Sequence, residues 1–170
     1  MRLTRRGTLL AFASLLGVTS ALLATQVLLK ARPVTSGDIA AMQFAPYDAQ
    51  RVVYHVTEGE WFFERKFKNI LHIAGNHVGA VAPGQLDLRI VLQGGGLDLL
   101  MKAKTDAQLA RDVDKLRRAG VTFAICRNTL VLRGIDPDTE LYGVRRGDIV
   151  ASGVAETASL AAKGHVYMKF

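Results

Sequence analysis

Cysteine is nearly missing from this chain: Cys126 is the single one in 170 residues. That excludes an internal disulfide, a CxxC redox pair and a thiolate-rich metal site. Acidic residues are absent through Arg32, a stretch that holds Arg2, Arg5, Arg6, Lys30 and Arg32. The formal charge of +7 therefore belongs to the N-terminus, because the other 17 basic residues face all 15 acidic ones and leave +2. A near-neutral remainder lacks the polyanion footprint that nucleic-acid binding needs, so no nucleic-acid partner is expected. No internal repeat is visible, and Ser152 stands in Ser-Gly-Val-Ala rather than in G-x-S-x-G, which argues against a serine hydrolase. What is present is apolar: hydrophobic residues make up 49 % and charged ones 22 %. Disordered, collagen-like and low-complexity classes are thereby excluded, and one domain with an appendage is expected.

The appendage is N-terminal. Gly7 to Leu29 is a run of 23 residues without a charge, matching the roughly 20 apolar residues that cross a bilayer core of about 30 Å. Three arginines precede it, which by the positive-inside rule puts Met1 in the cytoplasm and the domain outside. Thr4-Arg5-Arg6 with Leu9 and Leu10 is similar to a twin-arginine export signal, without the Phe usual after the pair. Cleaved signals have a shorter apolar region of about 7–15 residues and a small-x-small site. Thr19-Ser20-Ala21, the passable site here, lies inside the run. The expectation is an uncleaved anchor over residues 1–30 in a bacterial inner membrane with the domain in the periplasm, or, if cleaved, release into the periplasm. Residues 31–50 read as a tether, with Pro33, Ser36, Gly37 and Pro46 breaking any regular element.

Residues 51–170 alternate strand and helix patterns. Arg51 to Val56 reads as a strand. Glu60 to Val78 reads as a helix, with Phe63, Phe67, Ile70, Leu71, Ala74 and Val78 on one stripe. Leu86 to Leu92 is a second strand, ended by Gly94-Gly95-Gly96. Thr105-x-x-Gln108 reads as a capping box opening a helix lined by Leu109, Val113 and Leu116 and stopped at Gly120. Val121 to Ile125 is a third strand, a polar stretch follows, and Asp148 to Ala151 is a fourth. Ala155 to Lys163 is a short helix, and His165 to Phe170 closes as a strand. The pattern predicts a three-layer α/β domain with a mainly parallel five-stranded sheet. Ligands of such sheets bind beyond the carboxyl ends of the strands, where Thr57-Glu58, the glycine triplet and Cys126-Arg127-Asn128 fall.

Cys126 has two readings. If the chain turns helical through Asn128 to Leu132, both the helix start and Arg127 favour its thiolate, as a nucleophilic or sulfur-carrying cysteine requires. The plain alternative is a small buried core residue. Gly94, Gly95 and Gly96 could bring backbone N–H groups close to an anion. They fit neither the dinucleotide fingerprint nor the P-loop, so no cofactor is implied, and a tight turn is the plainer reading. His72 and His77 are five apart and do not share a helix face, and with His55 they show no ligand spacing, so no metal is expected. Asn76 and His77 read as a functional pair at a subunit contact. Trp61-Phe62-Phe63 reads as core or as an oligomer or membrane-proximal surface, and Arg146-Gly147-Asp148 as a turn.

VVYHV, NILHIAGNHVGAV, LRIVLQGGGLDLL, GVTFAICRNTL, VASGVAETASL and KGHVYMKF occur in this order. Together they resemble the DsrE/DsrF-like family of small sulfur-relay proteins over about Arg51 to Phe170. The resemblance implies a compact, flavodoxin-like parallel sheet assembled as homo- or hetero-oligomers. It also implies a cysteine at the end of this strand that takes up sulfane sulfur as a persulfide and passes it on; by position that is Cys126, with Arg127, Asn128, Gly94, Gly95, Gly96, His55, Asn76 and His77 as possible neighbours. The chain departs from the family pattern at Leu92-Gln93-Gly94, where many relatives carry His-Gly. Two functions are expected: a membrane-tethered periplasmic sulfur carrier with protein donors and acceptors, or a non-catalytic accessory subunit of a larger membrane complex. In the second, the small residues Ala11, Ala13, Ser14, Gly17, Ser20, Ala21 and Ala24 would let the helix of residues 7–29 pack closely.

Overall fold

The computed structural model describes residues 34–59 and 65–170. The anchor of residues 7–29 and Trp61-Phe62-Phe63 lie outside them. Among the described residues no helix is long and apolar enough to cross a membrane. The chain divides into two units at Phe44/Ala45. In the first, the stretch read as a tether without regular structure contains a short helix, α1 (Ser36–Ala41). Its cause is local: Thr35 Oγ1 accepts from the Asp38 N–H while the Asp38 carboxylate accepts from the Thr35 N–H at 2.9 Å, a capping box strong enough to start a turn despite Gly37.

In the second unit the domain begins before Arg51. The Tyr47 N–H donates to the Ala80 carbonyl at 2.9 Å and the Gln50 N–H to that of Gln85 at 2.9 Å, so residues 47–50 are held to the domain rather than free. Five strands follow: β1 (Gln50–Val56), β2 (Leu86–Leu92), β3 (Thr122–Cys126), β4 (Ile149–Val150) and β5 (Val166–Lys169). All neighbouring pairs are parallel, and the order across the sheet is β4-β3-β2-β1-β5. The helices are α2 (Lys66–Ala80), α3 (Asp98–Ala103), α4 (Ala107–Arg118), α5 (Arg127–Arg133), α6 (Pro137–Glu140) and α7 (Gly153–Ala162).

Crossover handedness sets the layers. From β1 to β4 the chain steps in one direction across the sheet, so right-handed crossovers put α2 to α5 on one face. The return from β4 to β5 runs the other way and carries α7 across the opposite face. Strand alternation matches. Val52, Tyr54 and Val56 share a core with Phe67, Ile70 and Leu71 of α2 and with Leu109, Val113 and Leu116 of α4. Val53 and Val91 meet Leu160 of α7 on the thinner side. Each fully buried Leu, Ile or Phe contributes about 1.5–3 kcal/mol of transfer free energy, so the larger face dominates stability.

Several element ends differ from expectation for reasons visible in the side chains. The cap of α4 is Asp106, whose carboxylate accepts from the Gln108 and Leu109 N–H groups; the Thr105 hydroxyl instead donates to the Lys102 carbonyl. β4 is two residues long because Asp148 turns inward to Arg117. α7 starts at Gly153, two residues early, capped by Ser152. The helices α3 and α6 stand where turns and a polar stretch were read. Two polar clamps fasten the layers. Arg117 Nη2 donates to Asp148 Oδ2 at 2.8 Å while its guanidinium lies 5.0 Å from the Phe123 ring centroid. His165 joins the Leu160 carbonyl at 3.1 Å and Asp87 at 3.2 Å. Burial would push the Asp87 carboxyl up, but Arg89 and His165 hold it below its ordinary value.

Candidate functional site

In a sheet wound on both faces, a crevice opens where adjacent strands send their next helices to opposite sides. Here that point lies between β3 and β4. β3 leads into α5, whose Leu130 belongs to the larger core, and β4 leads into α7 on the other face. Cys126 is the last residue of β3 and the N-cap position of α5, so it sits at this switch point. It is 2 % exposed. No hydrogen bond of cap geometry joins its sulfur to α5, so the first-turn N–H groups act on it as oriented dipoles.

The surroundings nevertheless favour the thiolate. Burial alone would push the Cys126 thiol up; the Thr129 hydroxyl and the backbone N–H groups of Gly153, Thr129 and Asn128 outweigh this and hold it below its ordinary value. These donors come from the first turns of two helices that diverge around the sulfur. Thr129 is tied down in turn, since its Oγ1 accepts from the Gly94 N–H at 3.0 Å. The same hydroxyl is then oriented to donate its hydrogen to the sulfur.

The glycine triplet has a different role from an anion cradle. Gly94 to Leu97 forms a 3-10 turn pressed onto the backbone that leaves β1. A Cβ on Gly95 would lie 2.3 Å from the Gly59 nitrogen, and one on Gly96 2.1 Å from the Val56 carbonyl oxygen. Only glycine allows this approach. Gly94, at φ +55°, also directs its N–H to Thr129.

Of the residues singled out in the sequence, the structure gathers Cys126, the Asn128 backbone and Gly94. His55 approaches through Gln93, with His55 Nε2 3.1 Å from Gln93 Oε1. Arg127 and the Asn128 side chain are exposed on α5. Asn76 and His77 are not near the cysteine. α2 runs antiparallel to the strands, so its C-terminal end lies at their starts, where His77 joins Gln50 at 2.7 Å and Tyr54 at 2.8 Å and Asn76 joins His72 at 3.2 Å. Sequence reasoning misses Thr129 and Gly153, and marks Gln93 only as the point of departure from the family pattern. Thr129 is legible afterwards as the third helical residue after a cysteine N-cap, whereas Gly153 arrives only through topology.

A doubly wound parallel domain that sets one acid-shifted thiol at its switch point defines a class: small α/β proteins that present a single cysteine. Residues 50–170 match the family model of the DsrE/DsrF-like family, and the chain belongs to that family. Membership points to a role of the sulfur-relay type. Among solved structures, the chain is similar to the protein of unknown function MTH1491 from Methanobacterium thermoautotrophicum, at 28 % identity and a TM-score of 0.58. That match covers 71 % of this chain and 99 % of the other. No curated protein matches.

Proposed function

We propose that this protein carries sulfane sulfur as a persulfide on Cys126 and passes it to a partner, tethered to a membrane by residues 7–29 with its domain on the periplasmic side. The observation that supports this reading is the set of donors from α5 and α7 that favours the Cys126 thiolate. The thiolate attacks the outer sulfur of a donor persulfide. A bond forms between Cys126 Sγ and that sulfur, the donor S–S bond breaks, and the donor sulfur leaves with the electron pair as a thiolate. No net oxidation occurs. In the second half an acceptor thiolate attacks the carried sulfur and Cys126 departs as thiolate. A lowered thiol pKa makes Cys126 the better leaving group, which favours release over retention. At 2 % exposure the sulfur needs the first turns of α5 and α7 to part before a donor reaches it.

Intact-mass spectrometry of the membrane-purified protein before and after polysulfide treatment tests this reading, with Cys126→Ser as control. A gain of sulfur mass that the Ser variant lacks supports it, and the same spectrum reads whether the first residues are retained. The burial of Cys126 favours a second reading, an accessory subunit using the domain as an assembly module. A thiol inert to polysulfide and resistant to alkylation in the native chain would refute the carrier reading and leave the assembly reading.

A further inference from the structure

A polar line crosses the α7 face of the sheet and ends beside Cys126. Val53 pairs with Tyr167, His55 with Val91, and Val91 with Ala124. Residues two apart share a face, so Tyr167 on β5, His55 on β1, Gln93 just past β2 and Cys126 on β3 all stand on the α7 side. Hydrogen bonds join the first three. Tyr167 Oη lies 3.3 Å from His55 Nδ1, and His55 Nε2 lies 3.1 Å from Gln93 Oε1. An amide oxygen only accepts, so His55 donates from Nε2, and its Nδ1 accepts from the tyrosine hydroxyl. His55 is 7 % exposed, which makes these bonds costly to lose. Gln93 then abuts the first residue of α7: a Cβ on Gly153 would stand 2.7 Å from Gln93 Oε1 and 3.1 Å from its Cβ. Gly153 is also a residue whose N–H faces the Cys126 sulfur.

We propose that Tyr167, His55 and Gln93 are positioning residues that seat the first turn of α7, so that the Gly153 N–H stays on the Cys126 sulfur. The inference rests on the reading of Cys126 as the working residue, but it concerns a physical property of the thiol that is measured without sulfur transfer. Gln93 fills the place of the absent Gly153 side chain. His55 fixes the amide plane of Gln93, and Tyr167 fixes the imidazole from the edge strand. The charged residues on the surrounding elements are Arg51 on β1, Asp87 and Arg89 on β2, Arg127 and Arg133 on α5, Glu156 on α7 and Lys169 on β5, which pairs with Glu58 at 3.8 Å. None of them is altered by the test.

Because Cys126 is the only thiol, the ultraviolet absorbance of the thiolate against pH reports it directly, with Cys126→Ser subtracted to remove tyrosine. The full chain is used. Gly153→Ala and Gln93→Ala are expected to titrate at higher pH than the wild type, with a several-fold smaller thiolate fraction at neutral pH. His55→Leu shifts the same way, and His55→Gln, which keeps a donor for Gln93, recovers part of the shift. Circular dichroism confirms folding of each variant; if Gly153→Ala does not fold, Gln93→Ala and His55→Leu decide. Folded variants that titrate with the wild type would overturn the proposal. Polysulfide loading of the wild type is measured in parallel. A wild type that never gains sulfur refutes the carrier reading while leaving the titration result to stand or fall by itself.

Discussion

Thr129→Val separates two contributions made by one hydroxyl. Thr129 is buried, and valine keeps its shape, so packing is preserved. The variant removes the acceptor of the partly buried Gly94 N–H, now 3.0 Å from Oγ1, and the donor that faces the Cys126 sulfur. An unmade hydrogen bond at a partly buried amide costs about 1 kcal/mol, and one lost from a charged acceptor about 1.5–3 kcal/mol. The second cost exists only while Cys126 is ionised. Its thiol is held below the ordinary value in the folded state, so the stabilisation it brings is absent at acid pH. It grows as pH rises through the folded value and is complete above the unfolded thiol value of about 8.5. Urea denaturation under reducing conditions is therefore expected to show the variant weaker by about 1 kcal/mol at acid pH, where the thiol is protonated, and by about 2.5–4 kcal/mol near pH 9. Thr129→Ser, which keeps the hydroxyl, retains the wild-type pH trend. A gap that stays constant or narrows toward alkaline pH would refute the assignment of the hydroxyl to the thiolate.

Gly96→Ala puts a Cβ 2.1 Å from the Val56 carbonyl oxygen. Since the obstacle is backbone, a loss of about 3 kcal/mol or more in urea is expected, with the Gly94–Thr129 bond disturbed as well. Asp148→Ala strands Arg117, whose side chain is 11 % exposed, at a cost of about 3–5 kcal/mol; Arg117→Met together with Asp148→Leu recovers most of it in thermal unfolding. Burial holds His77 below its ordinary value of 6.5, so the folded state prefers the neutral ring that accepts from the Tyr54 hydroxyl. Stability is expected to fall as pH drops below about 6.5 and the unfolded chain takes up protons first. His77→Gln should flatten that part of the pH–stability curve.

The stripe from Phe67 to Ala74 and the apolar runs of the three inner strands were legible because burial on a helix face or between two helix layers leaves a direct hydrophobic period. α3 was not, because Asp98–Ala103 is six residues long and follows glycines whose close contact with residues 56–59 is invisible without the sheet. The Thr105 cap was misplaced by one because the competing Asp106 is the better acceptor for two successive amides. At the site, Cys126 and the helix after it could be read from adjacent residues. Gly153 could not, since it lies 27 positions on and reaches the sulfur by crossing to the other face. That Asn76 and His77 lie away from Cys126 was illegible for a related reason: a helical period shows which face is buried but not which end of the sheet that helix end meets.

The pairing of β5 with β1 also has a consequence in time. His55 and Tyr167, 112 positions apart, belong to neighbouring strands, and Phe170 closes the join by donating its N–H to the His55 carbonyl at 2.9 Å and setting its ring 4.5 Å from that of Tyr54. During synthesis β1 therefore keeps one bare edge until residues 166–169 have emerged. Until then α7 rests on Val53 and Val91 through Leu160, without β5 beside them. Such a chain already contains Cys126, α5 and α7 but lacks Tyr167, the partner of His55. On the proposed linkage through His55 and Gln93, the thiol reaches its full acidity only once Tyr167 has taken its place beside β1.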